Sequence, residues 1–297
     1  ALPFGTYFEV TKHLEILTSV FRSVHEFYVE EPEPGTLMRV AIDAMLDELD
    51  PYTIYYPESR IEDIRFMNTG EYGGIGALVQ PMEGRMTIVE VYEGYPAHEA
   101  GLRPGDIVLD VDGREVEADM DTEAVSDLLQ GESGSAVTVG IDRPYGGGRL
   151  EFEVKRAKVR IPAVPYSGML DDRTGYIYLS KFTRGSAGEV RKALMALRDS
   201  AGMEQLVLDL RGNGGGLLNE SVSIVNLFVP KGTEIVSTRG KTDKWNKSYT
   251  ALGRPTAPDM PLVVLIDGQS ASASEIVSGT LQDLDRALII GMESFGK

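Results

Sequence analysis

The chain has 297 residues and no cysteine. That removes disulfides, thiolate metal sites and cysteine nucleophiles together, and it leaves the redox compartment open. Histidine is scarce: His13, His25 and His98 are the only three. The last two thirds of the chain hold no imidazole, which weakens both zinc chemistry and a local Ser-His-Asp triad. Basic residues are outnumbered, with 29 Lys and Arg against 46 Asp and Glu and a net charge of −17. This balance argues against nucleic acid as the main partner. No apolar run approaches the ~18 residues needed to cross a bilayer. The chain starts at Ala1, not at Met, and shows no signal peptide, the expectation for a processed or trimmed form. What is present is ordinary for a soluble globular protein, with 42% hydrophobic and 25% charged residues and room for two or three domains.

One stretch organises the rest, Asp267-Gly268-Gln269-Ser270-Ala271-Ser272-Ala273-Ser274-Glu275-Ile276. The apolar run 261–266 before it reads as a buried strand, and residues 274–283 after it read as a helix. A serine in such a turn is exposed above the sheet, beside the unpaired N–H groups of the helix start. That suits a nucleophile that must generate and stabilise an oxyanion. Three serines that simply cap a helix explain the same residues, and from this stretch alone the two readings stand level.

In chain order, Val10, Leu14, Leu17, Phe21 and Val24 alternate in steps of four and three and predict an amphipathic helix over 8–26. Leu37, Val40, Ala41, Ala44 and Met45 mark a second helix, ended by Leu49-Asp50-Pro51. From Gly70 the texture changes to a glycine loop, short strands, tight turns and two short helices. The loop Glu71-Tyr72-Gly73-Gly74-Ile75-Gly76, the helix Pro96-Ala97-His98-Glu99-Ala100-Gly101-Leu102 and the later Gly105-Asp106 and Val111-Asp112-Gly113 strongly resemble a PDZ domain. The resemblance implies that N–H groups of Tyr72, Gly73, Gly74, Ile75 and Gly76 hold a peptide's terminal carboxylate. The peptide would add as a strand beside residues 77–79. Residues 144–148 are read as a hairpin turn in this module. Beyond residue 165, strands at 175–179, 205–210, 262–266 and 287–290 alternate with helical patterns at 190–197 and 217–228. This predicts a layered α/β domain that works at the carboxyl ends of its strands.

Three loops converge at those ends: 213–216, 270–274 and 294–297. With no histidine there, the base that activates a serine must be another group. Lys297 follows a strand and a glycine, and an apolar cleft would disfavour its charged form. Without further help, a solvated terminal lysine is the slightly favoured reading. Residues 291–297 also fit G-x-x-x-x-G-K, most of a phosphate-binding loop, but no acidic magnesium partner supports that reading.

The motif 268–276, the run Asp209-Leu210-Arg211 with Asn213, Gly215 and Gly216, and the run from Gln282 to Lys297 together resemble the carboxy-terminal processing, or tail-specific, serine proteases. The similarity extends almost end to end and in order. It implies a multidomain α+β chain: an N-terminal helical region over 1–69, a PDZ domain over 70–157 and a protease core over 158–297 with a ClpP/crotonase-like fold. It also implies Ser272 as nucleophile, Lys297 as base 25 positions later, and the N–H groups of Gly216 and Ala273 as oxyanion donors. Ser270 and Ser274 become a turn residue and a helix cap. The family continues past its lysine with Gly-x-Val-Gln, so the expectation is a core truncated at its C-terminal end. The implied protein is an endopeptidase acting on free carboxyl-terminal tails in a bacterial cell envelope, without metal or cofactor. An adaptor protein and a homo-oligomer stay open as partners. The rival is an inactive PDZ-containing peptide-binding adaptor.

Overall fold

A computed structural model describes residues 4–57, 61–117, 119–144, 146 and 148–297. The expected turn at 144–148 includes Tyr145 and Gly147, which lie outside the described residues. The chain divides into two units, Ala1–Ile61 and Glu62–Lys297.

The first unit holds α1 (Phe4–Phe27) and α2 (Pro34–Asp47). Pro34 begins α2, where its missing N–H costs nothing, and the Glu33 carboxylate accepts the Thr36 N–H at 2.6 Å. No residue of α2 is buried, and Phe21 and Val24 of α1 are only half-buried. The apolar spacing therefore made helices here without making a deep core.

The second unit opens within α3 (Ile61–Thr69), which the sequence reading did not anticipate. Gly70, at φ +69°, ends it, and its N–H bonds back to the Phe66 carbonyl. Next come β1 (Glu71–Gly74), β2 (Ala77–Met82), β3 (Arg85–Val91), α4 (Pro96–Ala100), β4 (Ile107–Val111), β5 (Arg114–Glu115), α5 (Thr122–Leu129), β6 (Ala136–Arg143), β7 (Gly148–Lys155) and β8 (Ala157–Arg160). An antiparallel sheet in the order β2-β3-β4-β6-β7, with β5 against β4, surrounds Ile88, Val125, Val139, Ile141 and Val154, all fully buried. β1 and β8 pair antiparallel, Tyr72 opposite Val159, so the module's two ends lie side by side.

The chain then forms β9 (Tyr166–Met169), β10 (Thr174–Tyr178), α6 (Ser186–Ala201), β11 (Gln205–Asp209), α7 (Leu218–Val225), β12 (Glu234–Thr238), β13 (Lys247–Thr250), β14 (Leu262–Ile266), α8 (Ala273–Asp283) and β15 (Leu288–Gly291). The sheet order is β15-β14-β11-β10-β9. β10, β11, β14 and β15 run parallel, with Leu208 opposite Val264, and β9 closes one edge antiparallel. Val190 and Leu194 of α6, Ile224 and Val225 of α7, and Val277 and Leu281 of α8 are fully buried in one cluster with Ile177, Leu206, Leu208 and Val264. Each such side chain contributes about 1.5–3 kcal/mol of burial. The fold class read from the sequence holds: a multidomain α+β chain with a helical lead, a β-rich module and a layered α/β core. The edge strand β9 and the β12–β13 hairpin had no counterpart in the reading. Parallel strands place their carboxyl ends on one side, so the loops after β11, β14 and β15 emerge together there.

Candidate active site

The turn after β14 is built from polar groups that have left water and been paired. Asp267 accepts N–H bonds from Gly212 (3.0 Å), Gln269 (3.0 Å) and Ser270 (3.1 Å). Those bonds, the one from Gly212 first, hold its carboxyl below the usual range. One carboxylate thus shapes the serine turn and ties it to the loop after β11. Ser270 is fully buried and its hydroxyl donates to the Leu210 carbonyl at 2.8 Å. Ser274 is also fully buried and donates to the Asn213 carbonyl at 2.7 Å. Asn213, buried too, donates from Nδ2 to the Leu179 carbonyl (2.8 Å) and accepts the Gly215 N–H (2.9 Å). Its side chain thereby welds the end of β10 to the glycine loop.

Ser272 differs from its two neighbours. It is half-buried, and its backbone stands at φ 54°, ψ −109°, a conformation that costs of order 1–3 kcal/mol outside glycine. It is the N-cap residue of α8, whereas Ser274 lies inside the helix's first turn. The expectation that Ser274 caps the helix is corrected: its hydroxyl is spent on Asn213, across the loop, and not on its own helix.

The glycine loop arrives against this serine. A Cβ placed on Gly215, at φ +102°, would stand 2.9 Å from Ser272 Cβ, 2.8 Å from the Ala271 carbonyl oxygen and 3.0 Å from the Ala273 nitrogen. A Cβ on Gly216, at φ +142°, would meet the Phe182 carbonyl oxygen at 2.4 Å. Both positions require glycine, for space as well as for φ. The Phe182 N–H donates to the Gly215 carbonyl and the Leu217 N–H to the Phe182 carbonyl, a parallel bridge that leaves the Gly216 N–H directed away from it. Among the described residues, neither the Gly216 nor the Ala273 N–H is given an acceptor. α7 begins two residues after Gly216 and α8 one residue after Ser272, so two helix starts add positive potential to the same place. The structure brings Gly215 against Ser272 and Ala273, with Gly216 next to it in the chain. Such an arrangement can hold a developing oxyanion next to a hydroxyl.

Lys297 is tied to this turn through its backbone. Its N–H donates to Glu275 at 3.1 Å, while the Phe295 N–H donates to the Ser270 carbonyl at 3.0 Å. The side chain is exposed. Residues 295–297 are exposed, and Ser294 before them is half-buried. No group of three or more His, Asp or Glu residues suited to a metal ion occurs among the described residues.

The sequence reading quoted Glu275, Asp267 and Asn213 within its motifs but gave none of them a role in this constellation. Glu275 alone left a signal: a serine followed three residues later by glutamate at a helix start is the capping-box pattern.

A second candidate site lies beside β2. This strand ends its sheet, so one of its edges is unpaired within it. Next to it a cavity of about 140 Å³ is lined by apolar groups, among them Tyr72, Ile75, Val79, Leu129 and Ile161. Phe66 of α3 lines it too and packs edge-on against Tyr72, ring centres 5.6 Å apart. Burial pushes the Tyr72 hydroxyl's pKa up. Of the loop residues singled out from the sequence, Tyr72, Gly73 and Gly74 lie in the β1–β8 ladder. Ile75 and Gly76 form the turn into β2, and Gly76 has φ +77° with a Cβ position 2.4 Å from Tyr95 Cβ.

Two family models match the chain: peptidase family S41 over residues 173–297 and the PDZ domain over residues 87–143. A carboxy-terminal-processing protease of Bartonella bacilliformis is 35% identical over 289 residues, covering 96% of this chain and 66% of that protein. A CtpA-like serine protease of Staphylococcus aureus is 32% identical over 288 residues, covering 96% of this chain and 56% of that protein. The solved structure of a photosystem II D1 C-terminal processing protease is 28% identical, covers 94% of this chain and 81% of its own, and superposes with a TM-score of 0.47. The chain thus spans between about half and two thirds of the length of these curated relatives.

Proposed function

Because the chain belongs to peptidase family S41, the family of its carboxy-terminal-processing relatives, we propose that it is a serine endopeptidase acting on proteins with free carboxyl-terminal tails. The tail binds along the unpaired edge of β2, its terminal side chain enters the apolar cavity, and its carboxylate takes N–H groups of the 72–76 loop. Ser272 Oγ then attacks an internal peptide carbonyl. Lys297 Nζ, as the neutral amine, takes the hydroxyl proton and later gives it to the leaving amine. The Gly216 and Ala273 N–H groups bear the oxyanion, and water releases the acyl group from Ser272. No step calls for a metal or nucleotide. The resemblance to the tail-specific proteases favours work in a bacterial cell envelope.

The observation that carries this reading is the approach of Gly215 to Ser272 and Ala273, which packs the glycine loop directly against the strained serine. The rival reading is a binding protein that captures tails without cutting them. Cleavage of a peptide with a free carboxyl terminus by the full chain and by its Ser272→Ala variant separates the two. Cleavage lost in the variant is expected. Equal cleavage by both would refute the nucleophile, and none by either would leave the binding protein.

A further inference from the structure

Glu275 makes more hydrogen bonds than a helix cap needs. Its Oε2 accepts the Ser272 N–H at 2.6 Å and the Lys297 N–H at 3.1 Å. Its Oε1 accepts the Ser294 hydroxyl at 2.9 Å and the Gly296 N–H at 2.7 Å. Four donors from two separate loops therefore converge on one half-buried carboxylate. A capping box would use only the first of these bonds, and the other three reach 19 to 22 residues along the chain. Desolvation pushes the Glu275 carboxyl up, but the bonds from Ser272, Gly296, Ser294 and Lys297 outweigh it and hold the group below its usual range. It is a carboxylate whose two oxygens are both committed.

We propose that Glu275 is a positioning residue of the active site, joining the backbone of Ser272 to the backbone of Lys297 so that nucleophile and base share one frame. The inference rests on the Ser272–Lys297 reading above. Two consequences are specific to this geometry. First, the Ser272 N–H is occupied by Glu275, so the nucleophile's own amide is withdrawn from the oxyanion donors, leaving that task to Gly216 and Ala273. Second, the lysine arm swings from a root that is fixed relative to the serine, although the side chain itself is exposed. Glutamate has the reach for this from the first turn of α8. Its two oxygens accept four donors, whereas an amide in its place turns an NH₂ toward at least one backbone N–H that it cannot accept.

The test uses the full chain, a fluorogenic peptide with a free carboxyl terminus, and the variants Glu275→Gln, Ser294→Ala and Ser272→Ala. Glu275→Gln changes almost no volume but sets an NH₂ against at least one backbone N–H. Loosening a catalytic pair by about an ångström costs about 100-fold, so kcat should fall by about that factor. KM should stay near the wild-type value, because the tail cavity is elsewhere. Ser294→Ala removes one of the four bonds near the surface and should lower kcat by a few-fold at unchanged KM and unchanged melting temperature. Wild-type kcat in a folded Glu275→Gln protein would overturn the proposal, as would a loss that falls on KM alone. If Glu275→Gln does not fold, Ser294→Ala decides in the same two ways. Ser272→Ala reports on the underlying reading: cleavage surviving there sinks the nucleophile, whereas Ser272-dependent cleavage with full kcat in Glu275→Gln sinks only the positioning role.

Discussion

The cavity beside β2 is walled by Phe66, Ile75, Val79, Leu129 and Ile161, side chains that any apolar guest could touch. The serine turn is walled by backbone N–H groups and by Asn213, Ser270 and Ser274, each buried and each with named partners. The first can vary in shape at the cost of a methylene or two. The second cannot lose one group without leaving another buried and unpaired. Recognition of a tail tolerates graded change, while a hydroxyl beside an oxyanion pocket needs preorganised dipoles that do not move. The glycines divide the same way. Gly215 and Gly216 are pressed against Ser272 and Phe182, whereas Gly146 and Gly148 at the tip of the β6–β7 hairpin meet nothing.

Substitutions at the rigid site should hurt most, and they rank the contrast. Ser272→Ala should abolish cleavage, a loss of at least about 1,000-fold in kcat, with the thermal midpoint near the wild-type value because alanine keeps the same Cβ at this backbone conformation. Gly216→Ala should displace the chain from Phe182 and misplace the proposed oxyanion donor, lowering kcat by about 100–1,000-fold. Tail binding, read by fluorescence anisotropy, should be unaffected in both. Asn213→Ala leaves the Leu179 carbonyl and the Gly215 N–H without their partner and should cost about 1–3 kcal/mol in denaturant unfolding, with activity falling alongside. At the tolerant site, amidating the peptide's carboxyl terminus removes a charge-assisted contact and should raise KM by about 10-fold or more at unchanged kcat. A KM that does not move would discount carboxylate capture by the 72–76 loop.

The smallest expected effect concerns pH. Glu275 has a folded-state pKa below its ordinary value of 4.5. Its contribution to stability is therefore complete above that ordinary value and disappears as pH falls through the lowered one. Melting temperature followed from pH 6 down to pH 3 should drop more steeply in the wild type than in Glu275→Gln. Parallel curves would contradict the linkage.

Much of the core was legible because parallel strands announce themselves as apolar runs. Residues 205–210 and 262–266 needed only burial and length to be read, and both became inner strands of the sheet. The glycines at 212 and 214–216 marked the loop that must approach something closely. α3 escaped notice because nine residues give too few turns for a helical spacing to stand out, and β9 because an edge strand of four residues with two exposed positions has no apolar run. At the site, the sequence pointed to Ser272, Gly216, Ala273 and Lys297 by resemblance. It could not rank the three serines by geometry, since Ser270, Ser272 and Ser274 differ only in what surrounds them.

The residues alone determined that no imidazole or thiol serves the second half of the chain, that a serine turn joins a buried strand to a helix, and that glycines stand where side chains cannot. These follow from composition and from local backbone preferences, which act over a few residues. Only the tertiary structure decided that Asn213 holds the glycine loop, that Phe66 lines the cavity beside β2, and that Glu275 gathers donors from residues 272 to 297. Those partners lie far apart in sequence, and they are selected by which buried donors would otherwise go unpaired once the sheet has brought its loops to one edge.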